Sequence, residues 1–113
     1  MFRSLKLYQS QTLNLQELFS TLVDFGYKRQ ESILEEAEFA RRGNIIDIFP
    51  VTFEYPIRIE LDNDTVSSIK SFNLSNGKSL WEHQMSIVLP KRLARHYRIQ
   101  ESQEEIPINN FVD

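Results

Sequence analysis

Three observations predict an α+β fold: a single small domain in which an antiparallel β-sheet carries an N-terminal helix on one face, followed by a C-terminal linker. A stripe of helical period is confined to residues 15–25, strand-like segments separated by turn residues fill residues 44–90, and mixed charge replaces large apolar side chains after Pro90. With 113 residues and 41% apolar content the chain can close one core, since domains usually need about 100–150 residues.

Leu5 to Tyr8 has the composition of a short edge strand. Asn14-Leu15-Gln16-Glu17 then has the spacing of a helix N-cap with a reciprocal acidic partner. Leu15, Leu18, Phe19, Leu22 and Val23 fall at i, i+3, i+4, i+7 and i+8, which places them on one stripe. Gly26 stands where a left-handed residue ends a helix, so the helix runs from about Leu15 to Phe25. From Asn44 to Val51 both parities are apolar, as in a strand covered on both faces or pairing centrally, and Pro50 marks its end. Ile57, Ile59 and Leu61 alternate with Arg58, Glu60 and Asp62 in a half-buried strand with one wet face. Asp62-Asn63-Asp64 is a turn signal leading to a strand over Val66 to Phe72, so the pair reads as a hairpin. Leu74-Ser75-Asn76-Gly77 forms a second turn. Met85, Ile87 and Leu89 alternate with Ser86 and Val88 in a last strand closed by Pro90. The expected domain therefore spans residues 2–90 and the linker residues 91–113.

Composition excludes several functions. Sixteen acidic and 13 basic side chains give a formal charge of −3, so no global positive field gathers nucleic acid. Absent cysteines and two isolated histidines, His83 and His96, argue against disulfides and metal chemistry. No apolar run approaches the roughly 20 residues of a membrane span, and no signal-peptide pattern opens the chain. The expectation is a cytoplasmic protein without cofactor or membrane contact.

The motifs are weighed against their ordinary uses. Asn76-Gly77-Lys78-Ser79 imitates the end of a phosphate-binding loop, but Phe72 stands where that loop needs its first glycine, so it reads as a turn. Serines lack a nucleophile elbow, and the acid pairs Glu35-Glu36, Asp62-Asp64 and Glu104-Glu105 read as solvated. Lys91, Arg92, Arg95 and Arg98, with Tyr97 interleaved, are the best nucleic-acid candidate, over residues 91–98. The acids from Glu101 onward offset them, which favours a solvated linker. Arg41, Arg42 and Arg58 remain. Arginine on a wet strand face offers a planar fork that matches a carboxylate. The competing use of Arg58 is a surface ion pair with Asp47 or with neighbours of Glu60, worth about 0–1 kcal/mol when exposed.

The run Glu38-Phe39-Ala40-Arg41-Arg42-Gly43-Asn44-Ile45-Ile46-Asp47-Ile48-Phe49-Pro50, with Phe25-Gly26-Tyr27-Lys28-Arg29 before it and Pro56-Ile57-Arg58-Ile59-Glu60 after it, carries a further signal. In order and spacing it resembles the UvrA-interaction module shared by bacterial transcription-repair coupling factors and UvrB. The likeness covers Leu5 to Pro90, with Ala40 closer to the coupling-factor version than to UvrB. It implies a non-catalytic fragment that recruits UvrA in transcription-coupled nucleotide excision repair. Contacts to RNA polymerase and DNA, and an ATP- and Mg-dependent motor, would lie elsewhere in the parent protein. The family's contact arginines match Arg42 and Arg58, with Arg41 in support, and they should project side by side from neighbouring strands. The family's aromatic contact, four positions after Arg58, is replaced by Asp62. Either the partner surface differs too, or the module docks weakly and serves mainly in intramolecular contact with other domains of its parent. The alternatives are the equivalent domain of UvrB and a small nucleic-acid-binding module.

Overall fold

In the computed structural model, which describes residues 3–93, Asn14 opens the helix through its side chain, whose Oδ1 accepts from the Glu17 N–H at 3.0 Å. Helix α1 (Leu15–Asp24) follows β1 (Leu5–Tyr8). It ends in two bonds, Tyr27 N–H to Leu22 carbonyl and Gly26 N–H to Val23 carbonyl, both 2.9 Å, with Gly26 at φ +91°. This is the Schellman pattern, which satisfies carbonyls the helix end would otherwise strand. Leu18 and Leu22 are buried, whereas Val23, expected on the buried stripe, is 57% exposed. By i+8 the stripe has turned away from the sheet, because eight residues at 100° each overshoot two full turns.

The remaining elements are strands: β2 (Lys28–Arg29), β3 (Glu38–Arg42), β4 (Ile45–Phe49), β5 (Ile57–Asp62), β6 (Thr65–Phe72), β7 (Ser79–Glu82) and β8 (Met85–Val88). Six of them form one sheet in the order β2-β3-β4-β5-β6-β7. The β2–β3 pairing is parallel and the others are antiparallel. Central β4 buries Ile46 and Ile48 on one parity and Asp47 on the other, matching its two-faced apolar pattern. Two-residue turns join β3 to β4 at Gly43-Asn44 and β5 to β6 at Asn63-Asp64, with Gly43 at φ +57° and Asn63 at φ +56°. A left-handed first turn residue suits the twist of the flanking strands. The Asn73–Gly77 segment folds as a turn, closed by Gly77 N–H to the Asn73 carbonyl at 2.7 Å. Ser79 then enters a strand rather than a helix.

The principal core lies on one face of the sheet, where Phe39, Ile46, Ile48, Ile57, Ile59 and Ile69 meet Leu18 and Leu22 of α1. A separate ribbon of β1 and β8 adds Leu7 and Val88 to the same core. The parity of the last strand is the reverse of the sequence expectation: Ser86 and Val88 are buried, while Met85 is exposed and Ile87 half-buried. Pairing with Leu7 and Leu5 of β1 sets that orientation. Past Pro90 the backbone stays attached, with Lys91 N–H donating to the Phe25 carbonyl at 2.8 Å and Leu93 buried. Arg95, Tyr97, Arg98 and the rest of the expected linker lie outside the described residues.

Candidate docking face

The opposite face of the sheet carries the polar chemistry. Cross-strand partners share a face, so two rows define it. One is Ala40-Asp47-Arg58-Lys70-Glu82, and the other is Arg42-Ile45-Glu60-Ser68. Arg42 and Arg58 therefore face the same way, although β4 separates their strands rather than leaving them adjacent. Two strand steps and two residues of offset put their Cα atoms about 12 Å apart.

The two guanidinium groups differ in state. Arg42 stands at the tip of the β3–β4 hairpin, exposed and without a hydrogen-bond or ion-pair partner among the described residues. Arg58 is already engaged. Its Nε donates to Asp47 Oδ1 at 2.8 Å and its Nη2 to Asp47 Oδ2 at 3.0 Å, in the two-point geometry expected of a fork on a carboxylate. Its guanidinium also stacks on Phe72, 4.4 Å from the ring centroid. The hydrogen bond to Asp47 holds Arg58 charged, raising its pKa against the opposing effect of burial. The competing use foreseen for Arg58 is thus realised, and one edge of its fork is left for anything outside.

Lys70 and Glu60 form a second pair on this face at 3.1 Å. The hydroxyl of Ser68, 2.7 Å from Glu60 Oε1, together with Lys70 holds that carboxyl below its ordinary value. Arg41 alternates to the other face, in the row of Ile46 and Ile59, and its Nε donates to the Gly43 carbonyl at 3.1 Å. It braces the hairpin turn and does not join Arg42. Asp62 is exposed at the end of β5 on the parity of Arg58 and Glu60, so it stands at the Arg42 end of the face. Arg42 is thus a cation with no ion-pair partner among the described residues, on a locally mixed surface.

At the other end of β3, the segment around Ile33 folds over this face. Ile33 packs with Ala40, Phe49 and Phe72 in a second apolar cluster. Glu38 pins the segment: its Oε1 accepts from the Leu34 N–H at 2.7 Å and the Glu35 N–H at 3.1 Å, and its Oε2 from the Gln30 amide at 3.0 Å. Burial pushes the Glu38 carboxyl up, but these donors outweigh it and leave the group below the usual carboxylate range. Sequence reasoning missed this arrangement. The available signal was Glu38 opening a strand whose next two residues are apolar, an acid with no reason to be there unless donors surround it.

Among the described residues no group of three or more acidic, histidine or cysteine side chains is placed to hold a metal ion, and no helix is long and apolar enough to cross a membrane. Comparison with known proteins gives a consistent picture. The model of the UvrB interaction domain family matches residues 5–97. A transcription-repair-coupling factor of Bacillus subtilis (strain 168) is 47% identical over 64 residues, 57% of this chain and 5% of that protein. One from Staphylococcus aureus (strain USA300) is 40% identical over 67 residues, 59% of this chain and 6% of that protein. The UvrABC system protein B of Methanosphaera stadtmanae is 30% identical over 108 residues, 96% of this chain and 16% of that protein. The chain thus spans a small part of the length of each of these relatives.

Proposed function

The chain belongs to the UvrB interaction domain family, and from that premise we propose that it is a non-catalytic docking module of a transcription-repair coupling factor that binds UvrA. The observation that carries this reading is Arg42: a guanidinium fork, displayed at a hairpin tip with no partner among the described residues, on the face it shares with Arg58. A free arginine needs no internal pair broken before it grips a carboxylate, so it is the principal donor. Arg58, clamped by Asp47 and Phe72, presents its remaining edge in a fixed plane and acts as the secondary contact. Asp62 lowers affinity at the Arg42 end by adding like charge opposite an acidic partner. Contacts with other domains, with RNA polymerase and with DNA, and an ATP- and Mg-dependent motor, belong to the longer parent we infer for this segment.

Charge reversal at Arg42 tests the reading. Arg42→Glu should reduce retention of UvrA by the immobilised chain at least about tenfold, because truncating a hydrogen-bonded charge buried at an interface costs about 2 kcal/mol or more and reversal adds repulsion. Retention equal to that of the unaltered chain refutes it. The UvrB reading has its own support in the relative that matches 96% of the chain, and the parent's flanking sequence separates the two.

A further inference from the structure

Leu34 is 77% exposed, more than any other large apolar side chain among the described residues. A solitary exposed leucine is commonplace, but this one is held. Its own N–H and that of Glu35 are fastened to the Glu38 carboxylate, and Ile33 beside it is driven into the cluster with Ala40, Phe49 and Phe72. Phe72 is the ring on which Arg58 stacks. An apolar knob is therefore mounted on the face that carries the arginines, with a continuous chain of contacts running from Ile33 through Phe72 to Arg58.

The spacing fits one interface. Glu38, whose carboxylate holds the Leu34 N–H, opens β3 and Arg42 closes it, four residues or about 14 Å apart along the strand. A standard contact of about 800 Å² per partner spans more than that. The interior of such a contact needs a desolvated apolar group beside its arginine anchor. Asp62 cannot supply one, and it lies at the opposite end of the face from Leu34.

We propose that Leu34 is the apolar contact of this docking face, inserted into an apolar pocket on the same UvrA surface whose carboxylate meets Arg42; this rests on the docking reading above. The partner chemistry is then an acidic group and an apolar hollow on one surface. Pinning by Glu38 matters because a knob ordered in advance loses no loop freedom on binding.

The test is titration of the 113-residue chain with purified UvrA, comparing the unaltered protein with Leu34→Ser, Leu34→Met and Arg42→Glu, each also melted thermally. Burying a leucine side chain stabilises enough to predict weakening of about 10- to 100-fold in Leu34→Ser. Leu34→Met should bind within about threefold of the unaltered chain, since methionine fills a similar volume. Both should melt as the unaltered protein does, because the side chain touches solvent. If Leu34→Ser binds like the unaltered chain while Arg42→Glu does not, the role of Leu34 is overturned and the docking reading stands. A loss in Leu34→Ser accompanied by a lowered melting temperature also overturns it, assigning the residue to the fold. Undiminished binding by Arg42→Glu, or no binding by the unaltered chain, overturns both.

Discussion

Thr52 should be replaceable with a gain in stability. It sits third in a turn closed by Phe53 N–H to the Pro50 carbonyl at 3.2 Å, with φ +72° and 2% exposure. Its Oγ1 is buried without a hydrogen-bond partner. Glycine is the usual occupant of a left-handed third turn position. A left-handed conformation costs an L-residue about 1–2 kcal/mol, and an unpaired buried hydroxyl about 1–3 kcal/mol. Thr52→Gly removes both penalties. Against this stand the loss of two buried carbons, about 1.6 kcal/mol, and the greater freedom of glycine in the unfolded chain, about 0.5–1 kcal/mol. The balance favours the variant by about 1 kcal/mol, a rise in melting temperature of about 4–8 °C for a domain this size. Thr52→Val isolates the hydroxyl by keeping the branched carbon and its strain, and should gain about 1 kcal/mol. Urea unfolding with linear extrapolation measures each. Destabilisation of both variants by more than about 1 kcal/mol refutes the reasoning, and would mean that the hydroxyl has a partner worth more than its burial costs.

The other expectations concern the docking face. Breaking the Arg58–Asp47 pair should cost about 1–3 kcal/mol, between the values for exposed and buried pairs, because Asp47 is 10% and Arg58 25% exposed. A cycle of Asp47→Asn, Arg58→Met and the double variant should show a coupling of about 1 kcal/mol or more, and strict additivity would contradict it. Glu38 and Glu60 have lowered carboxyl pKa values, so they contribute stability above the ordinary value of 4.5 and lose it as pH falls through their folded-state values. The melting temperature should hold from pH 7 to about 5.5 and drop below about 4.5. Glu38→Gln should be destabilised by about 1–3 kcal/mol at neutral pH through its orphaned donors, with the gap to the unaltered chain narrowing towards pH 3.

Much of the architecture was legible because it is local. Asn14 and Gly26 bracket the helix through bonds made within a few residues, and Ile57, Ile59 and Leu61 alternate on β5 because one face is wet. Pairing across the chain was not legible. Strand β2 is two exposed residues whose extended form depends on β3, and β7 is exposed at every position and carries no period at all. The last strand shows the limit of reading alternation alone: Met85 and Ile87 looked like the inner row, but β1 turns Ser86 and Val88 inward. At the face, residue types and the shared orientation of Arg42 and Arg58 could be anticipated. Which arginine is free stayed open between docking and the Asp47 pair, because it depends on Asp47 lying directly across from Arg58. Leu34 gave no periodic signal, since its position follows from donors gathered around a carboxylate several residues away.

The β1–β8 ribbon has a mechanical consequence. Leu5 pairs with Val88 and Tyr8 with Met85, so residues 5 and 88 lie on adjacent backbones at one corner. Tension between residues 5 and 88 would open the rungs one after another, like a zip, instead of shearing them together. The six-stranded sheet lies outside that load path, so a pull applied between those two residues would be absorbed at the ribbon while the arginine face kept its shape.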